Sequence, residues 1–133
     1  MSARVAHRAL VNLELQLPFR VLIVTQNIDD LHERAGNQNL IHMHGELRKS
    51  RCAACDEVRP KLNDLDRDAV REHCVGKGTM RPQVVWFGQE LLEQDPIGEA
   101  LSLCALFLSI GTSGSVYSAA GFVQKVKILE RKH

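Results

Sequence analysis

Arg20-Val21-Leu22-Ile23-Val24-Thr25 runs directly into Gln26-Asn27-Ile28-Asp29-Asp30. From Val21 the first segment is apolar without alternation, the pattern of a strand buried on both faces in a parallel sheet. The second segment is dense in side chains that cap a helix. It predicts a short helix reaching about Ala35 and ended by Gly36-Asn37. In open α/β sheets ligands bind outside the carboxyl ends of strands. The turn after Thr25 is therefore a candidate site wall.

Upstream, Ala6, Ala9, Leu10, Leu13 and Leu17 recur at helical spacing, and Pro18 stops the helix. Downstream, Leu40–His44 is short and mixed, and Asn63–His73 is charged and helical in pattern. Val84-Val85-Trp86-Phe87 reads as a strand. Asp95 as cap and Pro96 in the first turn open a helix whose buried face carries Ile97, Ala100, Leu101 and Cys104. Leu106–Ile110 reads as a further strand, broken by Gly111-Thr112-Ser113-Gly114. A last helical face holds Ala119, Phe122, Val123 and Val126. This alternation predicts an α/β fold with a parallel sheet and a cysteine-bearing insertion.

At about 100–200 residues per domain, 133 residues make one domain. Hydrophobic residues are 44% and charged residues 25%, a globular composition. Seventeen Lys plus Arg against sixteen Asp plus Glu leave a net charge of +1. That balance gives no electrostatic argument for nucleic acid or a membrane surface. The start lacks the apolar centre of a signal peptide, and no apolar run approaches the roughly 20 residues that span a bilayer. The expected compartment is the cytoplasm, where four cysteines read as metal ligands, reactive thiols or core rather than disulfides.

Cys52-Ala53-Ala54-Cys55 places two thiols at zinc-ligand spacing. Cys74 follows at the distance of a second pair, but Lys77 stands where its partner would be. Two readings stay open: a zinc ion on Cys52, Cys55 and Cys74 with a fourth ligand from His73, Asp56 or water, or a module held by packing alone. A redox role is disfavoured, because neither cysteine opens a helix after a strand. His42 and His44 flank Met43, so in an extended segment they point to opposite sides and only one faces a site. His7 and His32 fall on polar helical faces and read as solvated. Gly111-Thr112-Ser113-Gly114 could cradle phosphate or ribose, or be an ordinary strand-to-helix turn. Phe87-Gly88 could leave an edge for an extended peptide, or simply end a strand.

Taken together, Thr25-Gln26-Asn27-Ile28-Asp29-Asp30-Leu31-His32, Ala35-Gly36, His42-Met43-His44-Gly45-Glu46-Leu47 and Arg51-Cys52-Ala53-Ala54-Cys55 resemble a sirtuin. Arg81-Pro82-Gln83-Val84-Val85-Trp86-Phe87-Gly88 and Ile110-Gly111-Thr112-Ser113-Gly114-Ser115-Val116-Tyr117 continue the resemblance in order, from about Ala6 to Val123. It is nearest to the bacterial and mitochondrial-type deacylases.

The resemblance implies a partial Rossmann-like parallel sheet with a small zinc-ribbon insertion. The first Rossmann part would be 1–46, the zinc-ribbon module 47–81 and the second Rossmann part 82–133. It implies an NAD-dependent protein-lysine deacylase that releases nicotinamide and O-acyl-ADP-ribose and acts on acyl-lysine peptides or proteins. His44 matches the general base, and a near-neutral imidazole suits that task. Gln26, Asn27, Ile28, Asp29, Gly111, Thr112 and Ser113 match NAD-binding positions. Val85, Phe87 and Gly88 match the acyl-lysine-binding strand, and Cys52, Cys55 and Cys74 the zinc ligands.

The family's Gly-Ala-Gly pyrophosphate loop and its Asp-Phe-Arg-like segment have no counterpart here, nor does its later asparagine-containing turn. Gln89 and Ser118 replace a usual Glu and Pro. The expectation is little or no turnover by the isolated 133 residues, as part of a longer deacylase. The other reading is a non-catalytic chain that binds zinc or a partner.

Overall fold

The computed structural model describes residues 5–18, 20–60, 80–86, 88–112 and 121–122. Contacts divide the chain into two compact units, Met1–Leu92 and Glu93–His133.

The first unit opens with helix α1 (Val5–Gln16), and β1 (Ile23–Thr25), α2 (Leu31–Ala35) and β2 (Leu40–His42) follow. β1 and β2 pair in parallel, with Ile23 opposite Leu40 and Thr25 opposite His42. A parallel pair needs a crossover, which α2 supplies. Gly36 ends α2 at a φ of 111°, its N–H on the carbonyls of His32 and Glu33. This left-handed cap is the one expected for Gly36-Asn37.

α1 forms where the spacing places it, but its inner stripe is only partly the expected one. Leu10 and Leu13 are half-buried as expected and are joined by His7, Val11 and Glu14, while Ala6, Ala9 and Leu17 are exposed. Polar groups hold this face. His7 meets His32 of α2 edge to face, ring centroids 4.6 Å apart. The Glu14 carboxylate accepts from Asn37 Nδ2 at 2.9 Å, from Gln38 N at 3.1 Å and from Asn39 N at 2.7 Å. His32 is buried against Asn37, with Nδ1 and Oδ1 3.3 Å apart, and is not solvated.

Three strands form a separate antiparallel sheet in the order β4-β3-β5: β3 (Gly45–Cys52), β4 (Val58–Pro60) and β5 (Met80–Val84). The apolar run at Val84 is thus the end of an antiparallel strand. It pairs with β3, Gly45 opposite Val84, across an irregularity between Glu46 and Ser50. Gly45 sits at a φ of 85°, and a Cβ there would lie 2.0 Å from the Gln83 carbonyl oxygen and 3.0 Å from Val84 Cα. Both the backbone conformation and the spacing of β3 from β5 exclude a side chain.

In the second unit α3 spans Gln94–Leu103. The helix starts two residues earlier than its sequence suggests. Glu93, at a φ of 55°, occupies the cap and Asp95 lies inside the first turn. Pro96 still falls in that turn, where the helix leaves N–H groups unpaired. Ile97 and Leu101 are buried as expected. Cys104 is not core: it is the exposed C-cap, its thiol on the Leu101 carbonyl at 3.3 Å. Leu106–Ile110 forms no strand, and Leu106, Leu108 and Ile110 are exposed. Among the described residues no strand lies beside it, and an apolar run without a ladder partner has nothing to hold it extended. Asn63–His73 and most of the last helical face lie outside the described residues.

Two outcomes follow. Gly45→Ala costs more than about 2 kcal/mol, from left-handed strain plus overlap with β5, and thermal unfolding lowers Tm by several degrees. Glu14 has a carboxyl pKa held below the usual glutamate range, first by the Asn37 amide and then by the Asn39 and Gln38 N–H groups. A depressed pKa stabilises the fold above the unfolded value, about 4.3, and that contribution is lost as pH falls through the folded pKa. Glu14→Gln therefore lowers stability near neutral pH and flattens its decline below about pH 4.3, as read by denaturant titration across pH.

Candidate active site

The turn after β1 is held by its carbonyls. Thr25 O accepts from Met43 N–H at 3.1 Å, and Ile28 O from Leu47 N–H at 2.9 Å. Between them, Gln26 O lies 3.0 Å from His44 Nδ1 and Asn27 O lies 2.9 Å from His42 Nδ1. Four consecutive carbonyls thus bond the one segment His42–Leu47. At the amide side Asn27 N–H donates to Thr25 Oγ1 at 3.1 Å. Asp29 Oδ1 accepts the Leu31 N–H at 3.1 Å, the N-terminal turn of α2. The Asp30 carboxyl is held below the ordinary carboxylate range by the hydrogen bond from Arg48 Nη1 on β3, 2.6 Å away.

Gln26, Asn27, Ile28, Asp29 and His44 are therefore brought together. Their placement follows from the sequence: the strand ends at polar residues, and Gly45 lets the chain reverse beside them. Alternation across Met43 does not hold, however. Met43 and His44 leave β2 in a turn, Met43 is fully buried, and both imidazoles reach the same strand-end turn. The expectation that only one of the two histidines faces a site fails for that reason. The visible signal was a second histidine two residues from the first.

The contact at His44 fixes a tautomer. A carbonyl oxygen only accepts, so Nδ1 carries the proton and, in the neutral ring, Nε2 carries the lone pair. No described residue bonds Nε2. An imidazole held this way is a base with a defined direction. Its backbone carbonyl accepts from Val85 N–H at 2.9 Å, which ties the base to the segment that follows β5.

Val85 is half-buried and lies one residue beyond β5, so the strand expected through Phe87 stops at Val84. Gly88 is exposed at a φ of 85° with open space where a Cβ would stand. Trp86 and Gln89 close a turn here, Gln89 N–H on Trp86 O at 3.0 Å. Beside it is a cavity of about 250 Å³ lined by Arg51, Arg81, Gln83, Val85, Gln89 and Leu92, among others. Gly111, at a φ of 67°, and Thr112 belong to the second unit. Phe87, Ser113 and Cys74 lie outside the described residues.

Cys52 ends β3 fully buried and Cys55 is exposed in the turn toward β4. Asp56 N–H on Cys52 O at 2.8 Å and Cys52 N–H on Glu57 O at 3.0 Å close that turn. Two thiols on one tight hairpin turn suit a zinc ion. The Asp56 carboxylate, a candidate fourth ligand, is engaged by Arg51 Nε at 2.9 Å. Among the described residues the group with metal-ligand character is instead Glu33, His42 and Glu46, whose ligand atoms lie within 4.8 Å of one another.

The Sir2 family model matches residues 1–118. An NAD-dependent protein deacylase of Vibrio vulnificus strain YJ016 is 52% identical over 123 residues, covering 92% of this chain and 50% of that protein. One from Pasteurella multocida strain Pm70 is 49% identical over 125 residues, covering 94% and 53%. Among solved structures, a Sir2 homologue–NAD complex superposes with a TM-score of 0.82 at 34% identity, covering 96% of this chain and 50% of that one. A Sir2–p53 peptide–NAD+ complex gives 0.78 at 27% identity, covering 96% and 55%. The chain spans about half the length of the curated relatives it matches.

Thiol accessibility checks the hairpin turn. In the presence of a chelator, iodoacetamide labels Cys55 and Cys104 in the folded chain and leaves Cys52 unlabelled until denaturant is added, as read by mass spectrometry. Without chelator, protection of Cys55 but not Cys104 reports a bound metal.

Proposed function

The chain belongs to the Sir2 family and has its Rossmann-like α/β fold, and from that we propose that it carries the base and half of the cofactor site of an NAD-dependent protein-lysine deacylase. The observation that carries the reading is His44, its Nδ1–H on Gln26 O and its Nε2 without a described partner, at the end of the strand where such sheets bind ligands. Gln26, Asn27 and Asp29 offer amide and carboxylate groups suited to a carboxamide and a ribose, and Ile28 offers an apolar contact. Asp29 uses one oxygen to cap α2, which fixes the orientation of the other.

When bound, NAD supplies an anomeric carbon that the acyl oxygen attacks as nicotinamide leaves. The part of this chain is to take the proton of a ribose hydroxyl on His44 Nε2, with the imidazolium then held by the Gln26 carbonyl. Such proton transfer contributes about 10²–10⁴-fold. Gly111, Thr112 and Ser113 are assigned to ribose and phosphate contacts. Val85, Phe87 and Gly88 are assigned to the backbone of an acyl-lysine peptide, with His44 coupled to that segment through the Val85 N–H. We assign a structural zinc ion to Cys52, Cys55 and Cys74 in the 47–81 module. The hairpin turn that brings Cys52 and Cys55 together supports it.

The test is NAD-dependent release of nicotinamide in the presence of an acetyl-lysine or succinyl-lysine peptide. Release that falls by about 10²–10⁴-fold in His44→Ala, with the fold retained, supports the assignment. Release that survives the substitution overturns His44 as the base.

A further inference from the structure

The general-base reading leaves His42 unused, although it is the more buried of the two histidines. Its side chain is 6% exposed at the end of β2. Nδ1 lies 2.9 Å from the Asn27 carbonyl, which can only accept, so that nitrogen donates. Nε2 lies 2.7 Å from Glu33 Oε1, and a proton shared between ring and carboxylate closes the contact. Glu33 lies on α2, is partly exposed and makes no described contact with residues 26–29. The Glu46 carboxylate also faces the ring and is paired with Lys49. These three ligand-type side chains do not need a cation to explain them, because Nε2 is already occupied by its contact with Glu33.

We propose that His42 is a positioning residue, clasped by Glu33, that holds the Asn27 peptide and thereby orients the cofactor turn. This deepens, and rests on, the reading of residues 26–29 as an NAD-binding turn. The turn also meets α2 through the covalent chain and through the Asp29 carboxylate, which accepts the Leu31 N–H. The clasp adds a second tie, from the Asn27 carbonyl through the imidazole to the middle of the helix. With Gln26 O and Ile28 O already bonded to His44 and Leu47, the clasp fixes the peptide between them, so that the Asn27 side chain keeps one orientation. An apolar side chain at position 42 would fill the same space and leave the Asn27 carbonyl without its donor. The neighbouring His44 holds Gln26 in the same manner, so adjacent peptides are fixed by adjacent rings.

The experiment compares Glu33→Gln, His42→Leu, His42→Gln and the Glu33→Gln/His42→Leu double variant with the unaltered chain. Amide hydrogen exchange is followed without ligand, and NAD affinity by calorimetry. His42→Leu is expected to speed exchange of residues 26–30 by about tenfold relative to β3, and to weaken NAD binding by about tenfold. Glu33→Gln, on the helix surface, moves both by about threefold with little change in Tm. His42→Gln, which retains a donor, recovers part of the loss. The double variant is no worse than His42→Leu alone, as expected for two groups acting as one unit. Uniform acceleration across the turn and β3, additive effects, or an unchanged turn in Glu33→Gln would each overturn the clasp. Should the unaltered chain fail to bind NAD, the cofactor reading falls, and the ligand-free exchange arm still decides whether the clasp exists. Should His42→Leu fail to fold, Glu33→Gln decides it.

Discussion

The first unit depends on four carbonyls. Thr25, Gln26, Asn27 and Ile28 in succession direct their oxygens at one segment, His42 to Leu47, which answers with two backbone N–H groups and two imidazole nitrogens. Thr25 is buried, and leaving its carbonyl unpaired would cost about 1–3 kcal/mol. Parallel pairing of β1 with β2 supplies the first of them, and side chains take over where the ladder ends. A turn that is normally the loosest part of a βα unit is therefore as well bonded as the strand before it. That suits a surface which has to present several polar side chains to a ligand in one arrangement, because less ordering is then left for binding to supply.

The same bonds organise what lies around the turn. Gly45 reverses the chain directly after His44 and lets β5 approach, so the imidazole, the turn and the segment at Val85 share one framework. Arg48 to Asp30 and Glu14 to the α2–β2 connection brace it from outside, through exposed or half-exposed pairs. Pairs of that kind contribute little energy singly. Their value here is geometric: each joins two elements that are distant in sequence.

Much of this was legible from residue order. The Gly36 stop and Pro96 in a first helical turn each have a local cause and occur where the pattern puts them, whereas the unalternating run forms strand only over Ile23–Thr25 and is half-buried up to Val24. The motifs at Gln26–Asp29 and His44, distant in sequence, meet at one strand-end turn. What was not legible depends on tertiary bonds. α1 is held by Glu14 reaching the Asn37 side chain and the backbone N–H groups of Gln38 and Asn39, which no apolar count registers. His32 lies on a polar stripe, yet that stripe faces α1. Val84 ends an antiparallel strand although its neighbours read like a parallel core. Cys104 has core spacing but falls on the cap just past the helix, where the chain turns extended. His42 was misjudged because period-two reasoning assumes a strand, and the strand ends at that residue.

The spacing at Gly45 has a genetic consequence. Every other amino acid adds at least a Cβ, and that atom would sit inside the Gln83 peptide. No missense change at this codon is conservative, whatever its chemical class. Position 45 should behave in a mutational scan as all-or-none, unlike the neighbouring Leu47, whose side chain is exposed. A reverting second-site change would have to move the backbone of β5 rather than alter a side chain, so suppressors of a Gly45 substitution should be rare and confined to the stretch around Pro82–Val85.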